Sequence, residues 1–302
     1  MKQIELYNEI FKLLSEDIKP LQDKPEETIE LTLHALWLTA YGKPMPPEAS
    51  KSVDLPTLNY DQINFLRDLV NKRISGTPLS YLTKRQRFFG LDFEVNSDVM
   101  IPRKETEILT RHALILLNSI LKNQEKAIVV DTCTGCGNIA ITIAYYQQNT
   151  VVFANDISER AIEVCNKNLH HLNMRGRVTF SAGNLIDPFL ENAVLKGNVD
   201  IITCNPPYIS TGKLKSLDPE IILNEPEQAF NGGPFGISIL NRIINDGAIL
   251  LRNGGWLCIE VGKGQGPGII KKFQRAPQWG QIHDVKDDNG VVRVVSAQKT
   301  KI

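Results

Sequence analysis

Apolar and polar positions alternate with a helical period through the first 75 residues. Three segments place apolar residues three and four positions apart, which is the spacing of one face of an α-helix. A Gly-Thr-Pro turn at 76–78 ends this region, and FFGLDFEV then alternates around a glycine as a β-hairpin does. We therefore predict an N-terminal helical domain over residues 1–75 and a hairpin linker over residues 76–98. The three helical segments are IELYNEIFKLL, ETIELTLHALWLTAY and YDQINFLRDLVNKRI.

From residue 127 onward, short apolar runs alternate with amphipathic stretches. Strands that alternate with helices in this way form a mostly parallel, doubly wound sheet. The end of the chain, with IHDV and VVRVVSA on either side of an Asp-Asp-Asn-Gly turn, predicts a final antiparallel hairpin. The helix expected before the last parallel strand is GISILNRIINDGAILL. The runs typical of buried strands are AIVVD, TVVFAND, RVTFSAG, VDIITCN and GGWLCIEVG.

Composition and charge narrow the class of protein. The 302 residues are 42% hydrophobic, which is enough to build cores for two domains. Lys plus Arg equal Asp plus Glu at 34 each, so no basic field favours a nucleic-acid backbone and we expect no stable nucleic-acid binding. No apolar run predicts a membrane span or a signal peptide. The five cysteines lack a disulfide-type spacing, which favours a reducing, cytoplasmic location.

The stretch VVDTCTGCGNIAI at 129–141 predicts a strand, a glycine turn and a helix. Gly135 and Gly137 would allow close approach of a ligand to the backbone. Asp156 ends the next strand about twenty residues later, where a carboxylate can bind both hydroxyls of a ribose. The G-x-G-x-x-G dinucleotide pattern is incomplete, and Asp131 suits a ligand with an ammonium group better than a pyrophosphate. S-adenosylmethionine, an adenosine with an amino-acid end, matches these features.

The same loop allows two other interpretations. Cys133 and Cys136 form a C-x-x-C between a strand and a helix, which is also the pattern of thioredoxin-like redox sites. The neighbouring glycines and Asp156 disfavour redox chemistry. A tight turn without a ligand is the structural alternative. The five histidines show no ligand spacing, so we expect no metal site.

A second motif follows the predicted strand VDIITC, which runs into Asn205, Pro206, Pro207 and Tyr208. Proline lacks an N–H and fixes φ, and a residue that precedes proline is held extended, so this turn is stiff. The Asn205 side-chain oxygen and the Pro206 carbonyl could accept the two hydrogens of a planar –NH2 group, against which Tyr208 would pack. A proline turn with no further role is the alternative.

Four segments, in this order, resemble the protein N5-glutamine methyltransferases that modify class I peptide-chain release factors (the HemK/PrmC family). NPPY alone also occurs in enzymes that methylate amino groups of DNA and RNA. The resemblance implies a seven-stranded, Rossmann-like class I methyltransferase domain over residues 99–302, S-adenosylmethionine as cofactor, and a glutamine of the release factor GGQ loop as methyl acceptor. We expect a monomer. The segments are IPRKETEIL (101–109), DTCTGCGNIAI (131–141), NPPY (205–208) and NEPEQAFNGGPFGISILNRII (224–244).

The resemblance also assigns residues to roles by their positions. Catalysis is assigned to Asn205, Pro206, Pro207 and Tyr208. Substrate binding is assigned to Asn205, Pro206, Tyr208 and Phe88, the last as a wall for the glutamine side chain. Cofactor binding is assigned to Asp131, Cys133, Thr134, Gly135, Cys136, Gly137, Asp156, Ile157, Asn184, Leu185 and Asn205, and to Arg103 and Thr106 as further lining of the cofactor pocket.

The sequence departs from the family pattern in two places, and the second departure keeps other acceptors open. Cys133 and Cys136 replace a usual Gly and Ser, and Lys84 and Arg87 replace a usual Gly and Glu near the expected substrate mouth. An N-methyltransferase of the same fold that acts on a small molecule, another protein or a nucleic-acid base is therefore the alternative. A binding module without catalysis is disfavoured by the intact 205–208 turn.

Overall fold

The computed structural model describes residues 3–18 and 24–301. Residues 1, 2, 19–23 and 302, which belong to the predicted first and last domains, lie outside the described residues. The predicted N-terminal helical region is confirmed, and two short helices accompany the three expected ones. Its helices are α1 (Gln3–Asp17), α2 (Ile29–Tyr41), α3 (Pro47–Ser50), α4 (Tyr60–Ile74) and α5 (Leu79–Thr83).

Helix α2 is the centre of this helical region. Most of its residues are buried, among them Trp37, because α1 and α4 lay their apolar faces against it. Local signals set the helix starts: the Asn59 side chain accepts from the Gln62 N–H, and the Gln62 side chain accepts from the Asn59 N–H, which is a capping box. Packing and capping together explain why the apolar spacing was a reliable guide here.

A β-hairpin follows the helical region, where the alternation around Gly90 predicts one. Strand β1 (Arg85–Phe88) pairs antiparallel with β2 (Leu91–Glu94). The two turn residues, Phe89 and Gly90, have φ values of 50° and 82°, which is the left-handed geometry of a type I′ hairpin turn.

The large sheet has seven strands in the order β5-β4-β3-β6-β7-β9-β8. Strands β3 to β7 run parallel, and β9 and β8 add the antiparallel hairpin at the edge. The predicted fold class is therefore confirmed. The strands are β3 (Ala127–Thr132), β4 (Thr150–Asp156), β5 (Val178–Ala182), β6 (Val199–Cys204), β7 (Leu251–Glu260), β8 (Trp279–Lys286) and β9 (Val292–Lys299).

Helices cover both faces of the sheet and bury a hydrophobic core on each side. The predicted end of one helix was wrong. Leu251 begins β7 instead of ending α11, because its backbone pairs with Val199 of β6 and its side chain is buried in the sheet. The helices are α6 (Thr106–Ile120), α7 (Asn138–Tyr146), α8 (Glu159–His171), α9 (Asp187–Leu190), α10 (Pro219–Asn224), α11 (Ser238–Leu250) and α12 (Gly266–Arg275).

Residues 209–237, between β6 and α11, form a segment that we call the cover segment. It contains α10 and two short 3₁₀ turns, and it lies over the carboxyl ends of the parallel strands. Among the described residues, no helix has both the length and the apolar character needed to cross a membrane.

Candidate active site

A cavity of about 580 Å³ opens at the carboxyl ends of β3, β4, β5 and β6. The strand order changes direction between β3 and β6, and ligands of open α/β sheets bind at such a point. The volume lies within the range of small-molecule sites. Nine of the predicted site residues line this cavity: Cys133, Thr134, Gly135, Asp156, Ile157, Asn184, Leu185, Asn205 and Pro207.

The glycine loop after β3 is held in a left-handed conformation. Cys133, Gly135 and Gly137 have φ values of 59°, 56° and 84°. A Cβ on Gly135 would meet no atom within 4 Å, so this residue leaves open space beside the backbone. A Cβ on Gly137 would lie 3.1 Å from the Phe180 ring, and Gly137 does not line the cavity. We predicted that Gly137 would allow a ligand to approach the backbone. In the structure it instead allows the Phe180 ring to pack beneath the loop.

Asp131 supports the loop from below. Its carboxylate is fully buried and accepts hydrogen bonds from the hydroxyls of Thr134 at 2.5 Å and Thr203 at 2.6 Å. Burial raises the pKa of Asp131 to about 7, although the two hydroxyls act in the opposite direction. The side chain does not line the cavity. Asp131 therefore holds Thr134 in place. Its carboxylate is not on the cavity wall, where the predicted contact with an ammonium group would require it.

Asp156, at the end of β4, has the position expected of a ribose-binding carboxylate. Its Oδ2 accepts from the Gly135 N–H at 2.9 Å, and its Oδ1 accepts from the Ser158 N–H at 3.0 Å. Burial raises the pKa of Asp156 and outweighs these backbone hydrogen bonds. Each carboxylate oxygen can accept more than one hydrogen bond. Because Asp156 lines the cavity, its remaining lone pairs can accept hydrogen bonds from two hydroxyls of a ligand.

A second, smaller cavity of about 180 Å³ adjoins the first. Met100, Asn205 and Ala229 line both, so Asn205 stands at their junction. Pro206 and Tyr208 line the smaller cavity, which places the whole 205–208 turn along the two spaces. A ligand in the larger cavity and a planar side chain in the smaller cavity would therefore meet beside Asn205.

Close backbone contacts hold the 205–208 turn in place. A Cβ on Gly232 would lie 2.6 Å from the Pro207 carbonyl oxygen, and one on Gly236 would lie 2.3 Å from that of Tyr208. The Tyr208 carbonyl also accepts from the Gln265 side-chain amide at 2.9 Å. Only glycine allows the cover segment to approach the turn this closely.

Two residues predicted to line the cofactor pocket lie elsewhere. Arg103 lines the smaller cavity and forms an ion pair with Glu225, whose other oxygen accepts from the Ile101 N–H at 3.0 Å. Thr106 is buried and lines neither cavity; its hydroxyl oxygen accepts from the Asn205 side-chain amide at 3.2 Å. Thr106, the first residue of α6, therefore acts on the site through Asn205, whereas Arg103 precedes α6 and lines the smaller cavity itself.

Two further predicted site residues belong to the interior. Phe88 is 1% exposed and packs edge-on against Phe93 in the core, so its predicted role as a wall for the substrate is wrong. Cys136 is also buried, and burial raises the pKa of its thiol to about 12. A thiol that stays protonated is a poor nucleophile, so the C-x-x-C pair does not favour redox chemistry.

Sequence reasoning missed several residues around the cavities. Glu260, at the end of β7, lines the smaller cavity. In the cover segment, Pro226, Gln228, Ala229 and Asn231 line the larger cavity, and Ala229 and Phe230 line the smaller one. Glu260 could have been found, because it ends a strand at the same edge of the sheet as Asp156 and Asn205. Residues 226–231 belong to the segment 224–244, which carries part of the family resemblance. No local sequence pattern indicates that they fold back to the ends of the strands.

Comparison with known proteins identifies the family. A release factor glutamine methyltransferase of Thermodesulfovibrio yellowstonii is 32% identical over 246 residues, which are 82% of this chain and 85% of that protein. One from Moorella thermoacetica is 37% identical over 208 residues, 68% of this chain and 69% of that protein. The chain belongs to the release factor glutamine methyltransferase family. The family model of the methyltransferase small domain also matches residues 110–237 of this family member.

Solved structures agree with the fold. The catalytic domain of hMettl16 in complex with a MAT2A 3′UTR hairpin superposes with a TM-score of 0.54 at 14% identity, over 76% of this chain and 82% of that one. Human methyltransferase 10 domain containing protein gives 0.50 at 17% identity, over 80% and 99%. At such identities the likeness concerns the fold alone. The cofactor of this methyltransferase is S-adenosylmethionine. The open backbone at Gly135 and the Asp156 carboxylate are features of the larger cavity that fit it.

Proposed function

We propose that this family member transfers a methyl group from S-adenosylmethionine to the side-chain amide nitrogen of a glutamine in the GGQ loop of class I release factors. The relatives at 32–37% identity carry the release factor in their names. The observation that carries the proposal is the place of Asn205 at the junction of two cavities. The larger cavity suits the cofactor and the smaller one suits a planar side chain.

The 205–208 turn supplies two acceptors for the substrate amide. Among the described residues, neither the Asn205 side-chain oxygen nor the Pro206 carbonyl accepts a hydrogen bond. They can therefore bind the two hydrogens of the glutamine –NH2. An amide nitrogen is a poor nucleophile because its lone pair is delocalised, and two such hydrogen bonds hold it and favour a pyramidal geometry. Tyr208 packs against the flat group.

The cofactor, when bound, supplies an electrophilic methyl group. Asp156 would accept hydrogen bonds from the ribose hydroxyls, with Ile157 beside it and with Asn184 and Leu185 along the base. Cys133, Thr134 and Gly135 would surround the amino-acid end. The protein's contribution is orientation and electrostatic preorganisation, and the product amide loses its extra proton readily, so no strong base is needed.

The helical region is a docking domain in this proposal. We assign residues 1–75 to docking, 76–98 to a hairpin linker and 99–302 to methyl transfer. Large apolar side chains on its surface, at Ile4, Tyr60 and Phe65, would suit a folded protein partner. The enzyme would act as a monomer in the cytoplasm, where its five free cysteines stay reduced and no nucleic acid is bound stably.

Tandem mass spectrometry tests the proposal. Release factor, enzyme and cofactor are incubated together, and methylation should map to the GGQ glutamine; a release factor with that glutamine replaced is the control. Asn205→Ala should lower turnover by about 10² or more and leave S-adenosylhomocysteine binding intact. Asn166→Ala, on the exposed side of α8, is the matched control. If the release factor stays unmodified while RNA or a small molecule is labelled, the proposed substrate is wrong.

A further inference from the structure

One side-chain amide joins three segments of the chain beside the catalytic turn. Gln265 directly precedes α12 and is not among the residues that line either cavity. Its Nε2 donates to the carbonyl oxygens of Tyr208 at 2.9 Å and Gly236 at 3.1 Å. Its Oε1 accepts from the Gly262 N–H at 2.9 Å. A flipped amide would place its oxygen against two carbonyl oxygens, so these three hydrogen bonds fix one orientation of the side chain.

The two carbonyl groups belong to the segments that form the smaller cavity. Pro206 and Tyr208 line this cavity from the catalytic turn, and Ala229 and Phe230 line it from the cover segment. Gly236 follows Phe230 closely in the same cover segment. The distance between the turn and this part of the cover segment therefore sets the width of the smaller cavity.

The cover segment runs beside the exit of the turn as a short parallel bridge. The Ile209 N–H donates to the Phe230 carbonyl at 2.9 Å, and the Gly232 N–H donates to the Ile209 carbonyl at 2.8 Å. Past this bridge, a Cβ on Gly236 would lie 2.3 Å from the Tyr208 carbonyl oxygen. The carbonyl groups of Tyr208 and Gly236 thus meet at one amide nitrogen, and without a donor between them they would repel each other.

The catalytic turn depends on such support because it supplies few donors of its own. Pro206 and Pro207 have no N–H, so neither can donate a backbone hydrogen bond. Gly262 adds a packing contact, because a Cβ at this position would lie 2.9 Å from the Tyr208 ring. The backbone that anchors the Gln265 amide therefore also lies against the ring that is expected to pack on the substrate.

We propose that Gln265 is a positioning residue that holds the catalytic turn and the cover segment at the separation which the smaller cavity needs to bind the substrate side chain. This inference rests on the proposed function, in which a glutamine side chain enters that cavity. Gln265 acts through Tyr208 and Gly236 and does not itself touch cofactor or substrate. Its loss would loosen the smaller cavity and leave the cofactor-binding walls at the ends of β3 to β5 in place.

Two variants remove the donor, and a third is the matched control. Gln265→Met keeps the length of an unbranched side chain without its hydrogen bonds. Gln265→Glu keeps the shape, but an ionised carboxylate cannot donate to the two carbonyl groups. Gln298→Met is the control, because the Gln298 side chain also donates to a backbone carbonyl, that of Gly254, at 3.0 Å. Gln298 lies opposite Trp256, whereas β7 reaches the site at Glu260.

The kinetic test compares binding of the protein substrate with binding of the cofactor. We expect KM for the release factor to rise about tenfold in Gln265→Met, as for two lost hydrogen bonds, and at least as much in Gln265→Glu. The affinity for S-adenosylhomocysteine should stay within about threefold of the wild type in both. Gln298→Met should change neither quantity. An unchanged KM in Gln265→Glu, or an equal loss of cofactor affinity, would overturn the positioning role, because mere structural support would weaken both sites alike.

Hydrogen exchange without substrate keeps this inference separate from the proposed function. By mass spectrometry, peptides that contain the amides of Ile209 and Gly232 should exchange faster in both Gln265 variants than in the wild type and Gln298→Met. Equal exchange in all four proteins would overturn the inference. Faster exchange in the Gln265 variants of an enzyme that methylates another acceptor would support the role of Gln265 and refute the release factor as substrate instead.

Discussion

A buried ion cluster ties the helical region to the cover segment, and Glu220 is its central counter-ion. Its Oε1 lies 2.7 Å from the Lys24 ammonium and its Oε2 lies 2.6 Å from the Arg73 guanidinium. Arg73 also pairs with Glu27 at 3.1 Å. The side chains of all four residues are at most 10% exposed. Glu220 belongs to α10, which leads directly into the residues that line both cavities.

Glu220→Gln should destabilise the protein because it unbalances this cluster. Two cations and two carboxylates become two cations and one carboxylate in a region almost closed to water. Burial raises the pKa of Glu220, but Lys24 and Arg73 outweigh it and bring the pKa below its usual value, whereas burial prevails for Glu27, whose pKa is raised. Glu220 therefore supplies most of the compensating charge. Breaking one partner of a buried pair costs 3–5 kcal/mol, and we expect about 3 kcal/mol here, since some exposure remains.

Urea unfolding of the wild type and Glu220→Gln measures this cost. The matched control is Glu9→Gln, which breaks an ion pair with Arg67 whose side chains are 36% and 42% exposed, and which should cost less than about 1 kcal/mol. A lowered carboxyl pKa stabilises the fold above the usual value of 4.5 and loses that effect as pH falls. The difference between wild type and Glu220→Gln should therefore shrink in acid. Equal unfolding free energies for the two variants at neutral pH would refute the reasoning.

Three further predictions concern the cofactor loop. Asp156→Ala should weaken S-adenosylhomocysteine binding tenfold or more in calorimetry, as for two lost hydrogen bonds, whereas unchanged binding would exclude the ribose contact. The raised pKa of Asp131 means that the wild type loses stability as pH rises from 3.8 through about 7. Asp131→Asn should gain stability relative to the wild type over that interval in urea unfolding, and a constant difference would contradict this. Cys133→Gly should change stability by less than about 1 kcal/mol, because relief of a residue at φ 59° offsets the entropy of glycine. Buried Cys136→Ala should be clearly destabilising, and the reverse order of the two cysteine variants would contradict the strain argument.

The sequence by itself determined the longer helices, the strands of the sheet, and the site residues at the ends of β4 and β6. Helical spacing predicted α1, α2 and α4, and the alternation of apolar runs with helices predicted the parallel sheet, because these patterns report burial that is local in the chain. Asp156 and Asn205, which the sequence predicts as site residues, both line the larger cavity. Each directly ends or follows a strand, and the carboxyl ends of parallel strands meet at one edge.

Only the tertiary structure decided how the other residues take part. Phe88 sits in a conspicuous motif, but the hairpin turns it into the core. Thr106 and Asp131 were expected at the ligand, and instead they brace Asn205 and Thr134 from beneath. Whether a polar side chain faces a cavity or supports a neighbour depends on which way its element is turned, and that is set by packing against elements distant in sequence.

The ion cluster and the hydrogen bond between Tyr208 and Glu260 depend most on such long-range contacts. Glu220 meets Arg73 across 147 residues of sequence, and Tyr208 meets Glu260 across 52. No local pattern records these pairs, because a charged side chain is equally compatible with an exposed loop until the fold removes water from around it. Burial then makes each charge require its partner, and this is why the cover segment and the catalytic turn acquire their positions only in the folded chain.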